Sequence, residues 1–376
     1  MIHIWIKRTC PVCIQPFYPG DCAIVSANAS GKVLQAAPVE WWQKALARML
    51  PLPLEGKLIH EGAYRQCPTC NYRLPRYIEV ADNVNIVVAG DTFSGKSHYI
   101  AAMIYEILQG RIQKSNQFFR VNCATQDIEY LYRKNVLDPL FLRKQVLPPT
   151  QAAVDVNRRP LIYELVVRPT SEHAYRRINL LFYDAAGEDM AEEDRLIRFS
   201  RYVFNASGII FLVDPGSIPA FAQMLPAHLQ SRTARGQTSS GVFNSIVQLL
   251  ESYRKRDAGA HFASIPMAIT IAKSDLIGQV QAAQQKYTFW QNRHNDGAID
   301  WADLDKVHQE ARQFMADYGE NQLLQATLAF SKVRFFATSA TGNAPNDQGK
   351  YTNIDPVRCL DPVMWILYEL GILRAL

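Results

Sequence analysis

The stretch NVNIVVAGDTFSGKSHY, residues 83–99, constrains the fold more than any other part of the chain. It matches the phosphate-binding loop pattern G-x-x-x-x-G-K-[ST], from Gly90 through Gly95 and Lys96 to Ser97. A strand before such a loop and a helix after it aim the helix's unsatisfied N–H groups at bound phosphates. An ordinary glycine turn is the alternative, but the flanking strand, the amphipathic helix and the four fixed positions together favour a nucleotide site.

The residues expected to contact the nucleotide run through the loop: Gly90, Asp91, Thr92, Phe93, Ser94, Gly95, Lys96 and Ser97. Lys96 would reach the outer phosphates as a catalytic residue, and the Ser97 hydroxyl would bind a Mg²⁺ ion. The loop by itself does not distinguish ATP from GTP, so the base has to be identified from motifs elsewhere in the chain.

Composition describes an ordinary folded chain of 376 residues, of which 48% are hydrophobic and 20% are charged. The net charge of +5 is spread as short basic pairs, which gives little support to nucleic-acid binding. No apolar run approaches the ~18 residues needed to cross a bilayer. The start, MIHIWIKRTCPVC, has no small-residue cleavage site after its apolar residues, so we expect a cytoplasmic protein.

Paired cysteines set residues 1–82 apart as a small zinc-ribbon-like module. Two C-x-x-C knuckles supply four candidate Zn²⁺ ligands: Cys10, Cys13, Cys67 and Cys70. The intervening residues 14–66 are longer than the usual spacing and include a predicted helix, PVEWWQKALARML. Four free thiols, or iron in the same four-sulfur geometry, are the alternatives. The remaining cysteines are interpreted as small core residues: Cys22, Cys123 and Cys359. A spare metal ligand is the alternative for Cys22.

From residue 83 onward, strand-like apolar runs alternate with helical segments, which predicts an α/β sheet with helices on both faces. The predicted strands lie at residues 84–89, 161–168, 177–183, 208–213, 265–271 and 333–338. A short polar link joins the second and third strands and leaves no room for a crossover helix, so we expect this pair to be antiparallel. Residues 83–376 are therefore interpreted as one nucleotide-binding domain with large inserts.

A second motif, LLFYDAAGEDM, stands at the end of the third predicted strand. Asp184 occupies the position where a phosphate-loop protein holds its Mg²⁺ ion, and Gly187 would let a backbone N–H approach the γ-phosphate. The pattern D-x-x-G occurs in many turns. After an apolar strand and behind a phosphate loop, however, it favours a nucleotide site.

A third motif, Lys273-Ser274-Asp275, predicts which base is bound. A carboxylate at Asp275 can accept from both the ring N–H and the exocyclic amine of guanine, whereas adenine offers no ring N–H. The aliphatic stem of Lys273 would cover the base and the ribose. A fourth motif, RFFATSATGN, places Ser339 and Ala340 where a backbone amide can donate to the guanine O6.

With these four motifs in order, residues 83–376 resemble a Ras-like P-loop GTPase of the translation-factor-related (TRAFAC) class. The large inserts and the fused knuckles resemble the bacterial double-GTPase families, known mainly from multi-gene systems, many of them thought to be conflict or defence loci. The resemblance implies a mostly parallel six-stranded sheet with one antiparallel edge pair, two loops that respond to nucleotide state, and action through protein partners. It leaves a homodimer open.

Two positions depart from the family pattern. Ala272 stands where an asparagine or threonine usually ties the base loop to the phosphate loop, so lower affinity is expected and ATP is not excluded. Glu188 replaces a glutamine that orients the attacking water, and it is our third catalytic candidate with Lys96 and Thr150. A carboxylate there can position water, but it also adds negative charge near the γ-phosphate, so we expect slow hydrolysis. A solvated side chain is the alternative.

The first nucleotide-responsive loop should supply a threonine that completes Mg²⁺ coordination, and Thr150 in LPPTQAA is our choice. Thr125 and Thr170 are the alternatives, and a helix cap is the structural explanation for a threonine after two prolines. Three arginines after the D-x-x-G motif are either arginine fingers or ion-paired surface residues: Arg195, Arg198 and Arg201.

Three functions fit this sequence. The first is a GTP-binding switch with slow Mg²⁺-dependent hydrolysis, whose zinc module docks partners or a second copy. The second is a scaffold that holds its nucleotide without turnover. The third, a zinc-ribbon nucleic-acid factor regulated by GTP, is disfavoured because the chain has no dense basic run interleaved with aromatic residues.

Overall fold

A computed structural model describes residues 6–26, 33–34, 63–91, 93–112, 118–124, 126–148, 161–167, 176–184, 200, 202–229, 238–256, 262–291 and 299–374. The helix predicted at residues 38–50 lies outside the described residues. Within these ranges, no helix has the length and apolar character needed to cross a membrane.

The N-terminal part is built from short strands: β1 (Arg8–Thr9), β2 (Pro16–Phe17), β3 (Ile24–Ser26), β4 (Val33–Leu34) and β5 (Ala63–Arg65). β1 and β2 form an antiparallel pair, and β3 lies between β4 and β5 in a second small sheet. A small core of its own underlies this part of the chain and contains Cys10, Phe17, Cys22, Cys67, Leu74 and Ile78. Cys22 therefore packs as the core residue that the sequence suggested.

The main sheet comprises β6 (Asp82–Gly90), β7 (Phe118–Cys123), β8 (Leu161–Val167), β9 (Arg176–Asp184), β10 (Gly208–Val213), β11 (Met267–Ile271) and β12 (Val333–Ala337). Their order across the sheet is β12-β11-β10-β6-β9-β8-β7. β8 runs antiparallel to both of its neighbours, and the other pairings are parallel. The mostly parallel α/β sheet and the antiparallel pairing of the second and third predicted strands are confirmed.

The expectation of six strands with the antiparallel pair at the edge is wrong in one respect. A seventh strand, β7, pairs antiparallel with β8 and occupies the edge of the sheet. Six residues of mixed polarity, FFRVNC, give little periodic signal by themselves. β8, which is buried along its whole length, supplies the partner that makes this segment a strand.

The α-helices are α1 (Lys96–Leu108), α2 (Gln126–Tyr132), α3 (Pro219–Ala222), α4 (Ser239–Arg256), α5 (Gln281–Lys286), α6 (Trp301–Asp317), α7 (Asn321–Ala326) and α8 (Asp361–Glu369). A π-helix, Arg133–Leu142, continues α2 and contains Pro139. Single turns of 3₁₀-helix occur at Pro19–Asp21, Pro215–Ser217, Ala227–Leu229, Phe262–Ser264 and Thr327–Ala329, and a longer one spans Ser274–Gln279.

Helices cover both faces of the main sheet, as the alternating pattern predicts. Along β6, Ile86 and Val88 join a core with α1 and α8, whereas Val87 and Ala89 join a second core with α4 and α6. Because successive strand side chains point to opposite faces, these residues belong to separate cores. Full burial of each large aliphatic side chain contributes about 1.5–3 kcal/mol.

Side-chain contacts join the N-terminal part to the main sheet. The Arg8 guanidinium donates to Asp82 Oδ1 at 3.0 Å, and the Asn83 amide donates to the Thr9 carbonyl oxygen at 2.8 Å. The Tyr202 hydroxyl donates to the carbonyl oxygen of Val12, inside the first knuckle, at 2.9 Å. The two sides of the predicted boundary at residues 82 and 83 therefore share hydrogen bonds.

A carboxyl group on α1, that of Glu106, is fully buried. Glu106 of α1 accepts from Arg111 through Oε1 at 3.2 Å, and its Oε2 has no hydrogen-bond partner in the part of the chain that the structure describes. Burial raises the pKa of Glu106 from 4.5 to about 8, while the Arg111 charge acts in the opposite direction. The side chain is therefore mostly neutral at pH 7.

Glu106 is expected to make stability depend on pH. Because its folded-state pKa is raised, its contribution is present below pH 4.5 and is lost as pH rises to about 8. The loss is at most about 1.4 kcal/mol per pH unit. The melting temperature of the wild type relative to Glu106→Gln should therefore fall between pH 5 and pH 8. The exposed Glu251→Gln variant is the control, and an equal pH slope in all three proteins would contradict the assignment.

Candidate functional site

The phosphate-loop motif lies between β6 and α1, where the sequence places it. A Cβ added at Gly90 would lie 2.6 Å from the Leu212 carbonyl oxygen, so a larger residue does not fit there. Gly95 takes a left-handed backbone with φ +85° directly before α1, a conformation that glycine adopts without strain. Phe93 also has a positive φ of +73° and is exposed. Thr92 lies outside the described residues.

The Lys96 ammonium lies inside the loop. It donates to the carbonyl oxygens of Gly90 at 3.1 Å and Asp91 at 2.5 Å, and it lies 3.4 Å from Ser94 Oγ. The Ser94 hydroxyl in turn donates to the Asp91 carbonyl oxygen at 2.9 Å. These contacts hold a buried positive charge within the loop expected to bind the outer phosphates.

Asp91 is a buried carboxylate within the loop. Its Oδ2 accepts from the Ser217 hydroxyl at 3.1 Å and from the Ser239 hydroxyl at 2.8 Å. Its Oδ1 is buried and has no hydrogen-bond partner among the described residues. Burial, reinforced by the Asp214 charge, raises the pKa of Asp91 to about 6. The loop is thereby connected to the chain after β10 and to the start of α4.

The two candidate Mg²⁺ ligands of the described chain come from neighbouring elements. Ser97 lies in the first turn of α1, and Asp184 is the last residue of β9, paired in register with Val88 of β6. A serine hydroxyl and a carboxylate offer the oxygen ligands that Mg²⁺ prefers. The other predicted residues of this half of the site lie outside the described residues: Thr150, Gly187, Glu188, and the alternatives Thr125, Thr170, Arg195, Arg198 and Arg201.

The structure brings the two guanine motifs together at the ends of β11 and β12. The Ser339 hydroxyl donates to Asp275 Oδ1 at 2.5 Å and accepts from the Gly342 N–H at 2.8 Å. The Ser274 N–H donates to the Thr338 carbonyl oxygen at 3.0 Å, which joins the two loops through their backbones. Burial raises the pKa of Asp275, while the Ser339 hydrogen bond opposes the rise. Ala340 follows Ser339 and is half-buried.

Lys273 reaches back from the base loop to the phosphate loop. Its backbone is left-handed, with φ +49°, and its Nζ donates to Asp214 Oδ2 at 2.6 Å. A Cβ added at Gly95 would lie 3.8 Å from Lys273 Cε. The aliphatic stem of the lysine therefore lies beside the phosphate loop. Ala272 is buried, and its N–H donates to the Val213 carbonyl oxygen at 2.9 Å.

A histidine in the first turn of α1 holds the chain that leads toward Thr150. His98 Nε2 accepts from the Leu147 N–H at 3.3 Å. Burial, together with the nearby Lys273 charge, lowers the pKa of His98 to about 4, so the ring is neutral at pH 7 and can accept this bond. The insert between α1 and β8 is therefore anchored directly beside Ser97.

Several site residues were not predicted from the sequence: His98, Asp214, Ser217 and Ser239. Asp214 carried a usable signal, because it follows the apolar run GIIFLV as Asp184 follows the apolar residues of β9. The hydroxyl partners of Asp91 carried none, since serines after a strand or at a helix start are common in loops and caps.

The four predicted zinc ligands converge in the N-terminal part. The Sγ atoms of Cys10, Cys13, Cys67 and Cys70 all lie within 4.8 Å of one another. The Cys10–Cys70 and Cys13–Cys67 sulfur distances are both 3.7 Å. Thiolates held about 2.3 Å from one tetrahedral ion lie about 3.8 Å apart, so the sulfur positions fit a Zn²⁺ ion. None of the seven cysteines forms a disulfide.

The two knuckles share one backbone design. The N–H of Ile14 donates to the Cys10 carbonyl oxygen at 3.0 Å, and the N–H of Asn71 donates to the Cys67 carbonyl oxygen at 2.9 Å. Ile14 and Asn71 both have left-handed backbones, with φ of +60° and +56°. Because both knuckles have the same backbone conformation, one shared metal site explains the converging thiols better than four unrelated cysteines do.

Two comparisons relate this chain to known proteins. A relative from Mycolicibacterium smegmatis, named "Putative ESX-1 scaffolding and assembly protein SaeC", is 23% identical over 373 residues, and the match covers 93% of this chain and 92% of the relative. The family model of the Double-GTPase 2 domain matches residues 85–346, which is more than half of the chain and includes the four nucleotide motifs. The chain therefore belongs to the Double-GTPase 2 family of GTP-binding domains.

Proposed function

We propose that this protein is a GTP-controlled switch that hydrolyses GTP slowly and acts on protein partners. The observation that carries the proposal is the closeness of the base loop to the phosphate loop, since the Lys273 side chain lies beside Gly95 and pairs with Asp214. A lysine in this position can cover a guanine base while the loop holds its phosphates. Asp275, set by the Ser339 hydroxyl, selects guanine through the N–H groups that adenine lacks.

Each residue in the phosphate half of the site has a proposed role. The loop amides and Lys96 bind the phosphates, and Ser97, Asp184 and Thr150 would hold a Mg²⁺ ion, which would offset the negative charge of the phosphates. Thr150 follows Leu147 by three positions, a span of at most about 11 Å, so the anchor at His98 supports Thr150 as the threonine of the first switch. Gly187 and Glu188 would contact the γ-phosphate and the attacking water.

The four cysteines are proposed as a structural zinc site, and the residues 1–82 around it as a docking module for partners or for a second copy of the chain. Nucleotide chemistry together with free thiols favours the reducing environment of the cytoplasm. We also propose that the protein acts in a multi-gene conflict or defence system, the setting in which the related families are thought to act.

A second candidate function is a nucleotide-bound scaffold without turnover. Ala272 and Glu188 favour it, since both depart from the pattern of active GTPases. The name of the Mycolicibacterium smegmatis relative, a scaffolding and assembly protein, points the same way. Phosphate release separates the two candidates.

Phosphate release should be restricted to GTP, with rates on the order of 10⁻⁴–10⁻² per second in the wild type, and should be lost in Lys96→Ala. GTP and ATP should each be tested at low and high protein concentration. A rate per molecule that rises with concentration would show that a second copy completes the site. Retained guanine nucleotide with no phosphate release at any concentration would contradict the switch and support the scaffold.

Guanine selection is expected to depend on Asp275. Asp275→Asn should weaken GDP binding by about 10–100-fold, because an amide cannot accept both guanine N–H groups, while ADP binding changes little. Competition between labelled GDP and unlabelled nucleotides measures both affinities. The exposed Asp347→Asn variant is the matched control, and equal affinity of the wild type for GDP and ADP would contradict the base assignment.

Zinc content is expected at about one ion per chain in purified protein. Cys70→Ser should lose most of the metal while disturbing packing little, since Cys70 is the exposed member of the cluster. Cys22→Ser should retain the metal because Cys22 lies in the core outside the cluster. Elemental analysis decides the point: iron in place of zinc would correct the identity of the ion, and metal-free wild type would overturn the site.

A further inference from the structure

A continuous line of polar contacts runs from the guanine motif to the phosphate loop. Lys273 pairs with Asp214 at the end of β10, and Asp214 Oδ1 accepts from the Gly216 N–H at 2.9 Å. The Ser217 hydroxyl lies 2.8 Å from the Asp214 carbonyl oxygen and 3.1 Å from Asp91 Oδ2. The turn Pro215–Ser217 is therefore held at both ends by side chains of the candidate site.

The line continues into the phosphate loop itself. Asp91 accepts from Ser217 and Ser239 with its carboxylate, and its backbone carbonyl oxygen accepts from Lys96 Nζ. The two acids of the line are 3% exposed at Asp91 and 1% exposed at Asp214. Buried carboxylates are destabilising unless they are paired, so a line that served packing alone would be better built from apolar residues.

The positive charges beside the line belong to the nucleotide site. Lys273 is the lysine expected over the base, and Lys96 is the lysine expected at the outer phosphates. The Lys96 charge acts on Asp91, and Lys273 contacts Asp214 directly. If Lys96 moves onto a ligand, the electrostatic surroundings of Asp91 change, and the other contacts of Asp91 lead to Asp214 and Lys273. If Lys273 moves onto a ligand, the surroundings of Asp214 change, and its contacts lead back to Asp91 and Lys96.

We propose that Asp214, Ser217 and Asp91 are positioning residues that couple base recognition to phosphate binding. The proposal rests on the proposed function, since it takes both halves of the site to bind one guanine nucleotide. A base that fixes Lys273 also fixes Asp214, the turn after β10 and the carboxylate of Asp91, and so preorganises the loop that receives the phosphates. The methyl group of Ala272 can neither donate nor accept a hydrogen bond, so it cannot link the base loop to the phosphate loop. The contacts from Asp214 through Ser217 to Asp91 supply that link instead.

The coupling can be measured with the two halves of GDP as separate ligands. In the wild type, saturating guanosine should tighten pyrophosphate binding by about tenfold, and pyrophosphate should tighten guanosine binding by the same factor. Ser217→Ala should reduce both effects below about twofold. Titration calorimetry in the presence of Mg²⁺ gives all four affinities.

Control variants separate coupling from general loosening. Ser245→Ala removes an exposed hydroxyl of α4 that donates to the Gly241 carbonyl oxygen, and it should retain the tenfold effect. Asp91→Asn should abolish the effect as Ser217→Ala does. In a Lys273→Ala background, Ser217→Ala should change GDP affinity by less than about twofold, because the line is already interrupted.

Two results would overturn the proposal while leaving the proposed function intact. One is a wild type that binds GDP but shows no effect of guanosine on pyrophosphate binding. The other is a Ser217→Ala variant in which guanosine still tightens pyrophosphate binding by the full factor, whether or not the binding of each fragment alone is weakened. A wild type that binds no GDP at all would overturn the proposed function and the coupling together.

Discussion

The parallel pairing of β6 with β9 on one side and β10 on the other is the constraint on which the rest of the structure depends. The register sets Asp184 beside Val88 and Leu212 beside Gly90, so that three strands deliver their carboxyl ends to the same edge of the sheet. In open α/β sheets, ligands bind where the strand order diverges in this way. Since β11 and β12 continue the same parallel set, residues far apart in the chain meet at one edge.

The sequence predicted the parts of this arrangement that depend on local pattern. Apolar runs located six strands, and glycine and charge spacing marked the predicted phosphate-loop and Lys273–Asp275 motifs, which lie at the ends of β6 and β11, because these elements are continuous in the chain. The Ser239–Asp91 contact spans 148 residues and the Ser339–Asp275 contact spans 64, so neither follows from local spacing. β7 was not predicted for a related reason, since its conformation is set by pairing with β8 rather than by its own composition.

The N-terminal part was predictable to a different degree. Cysteine spacing identified the four converging thiols, because a C-x-x-C turn constrains its own two sulfurs. Spacing could not show that the residue after the second cysteine has a left-handed backbone conformation in both knuckles, because that requires the backbone to be known. Nor could it show that Tyr202, far along the chain, donates to a carbonyl oxygen inside the first knuckle.

That contact, with the Arg8–Asp82 and Asn83–Thr9 hydrogen bonds, bears on the cooperativity of the molecule. These hydrogen bonds are partly buried and are lost if the two parts separate, so they favour unfolding of the two parts as one unit. A ligand that stabilises one end of such a unit raises the free energy of unfolding of the whole unit by mass action. Nucleotide bound at the sheet edge and metal bound at the knuckles would then protect each other's surroundings from unfolding, although the two sites share no ligand.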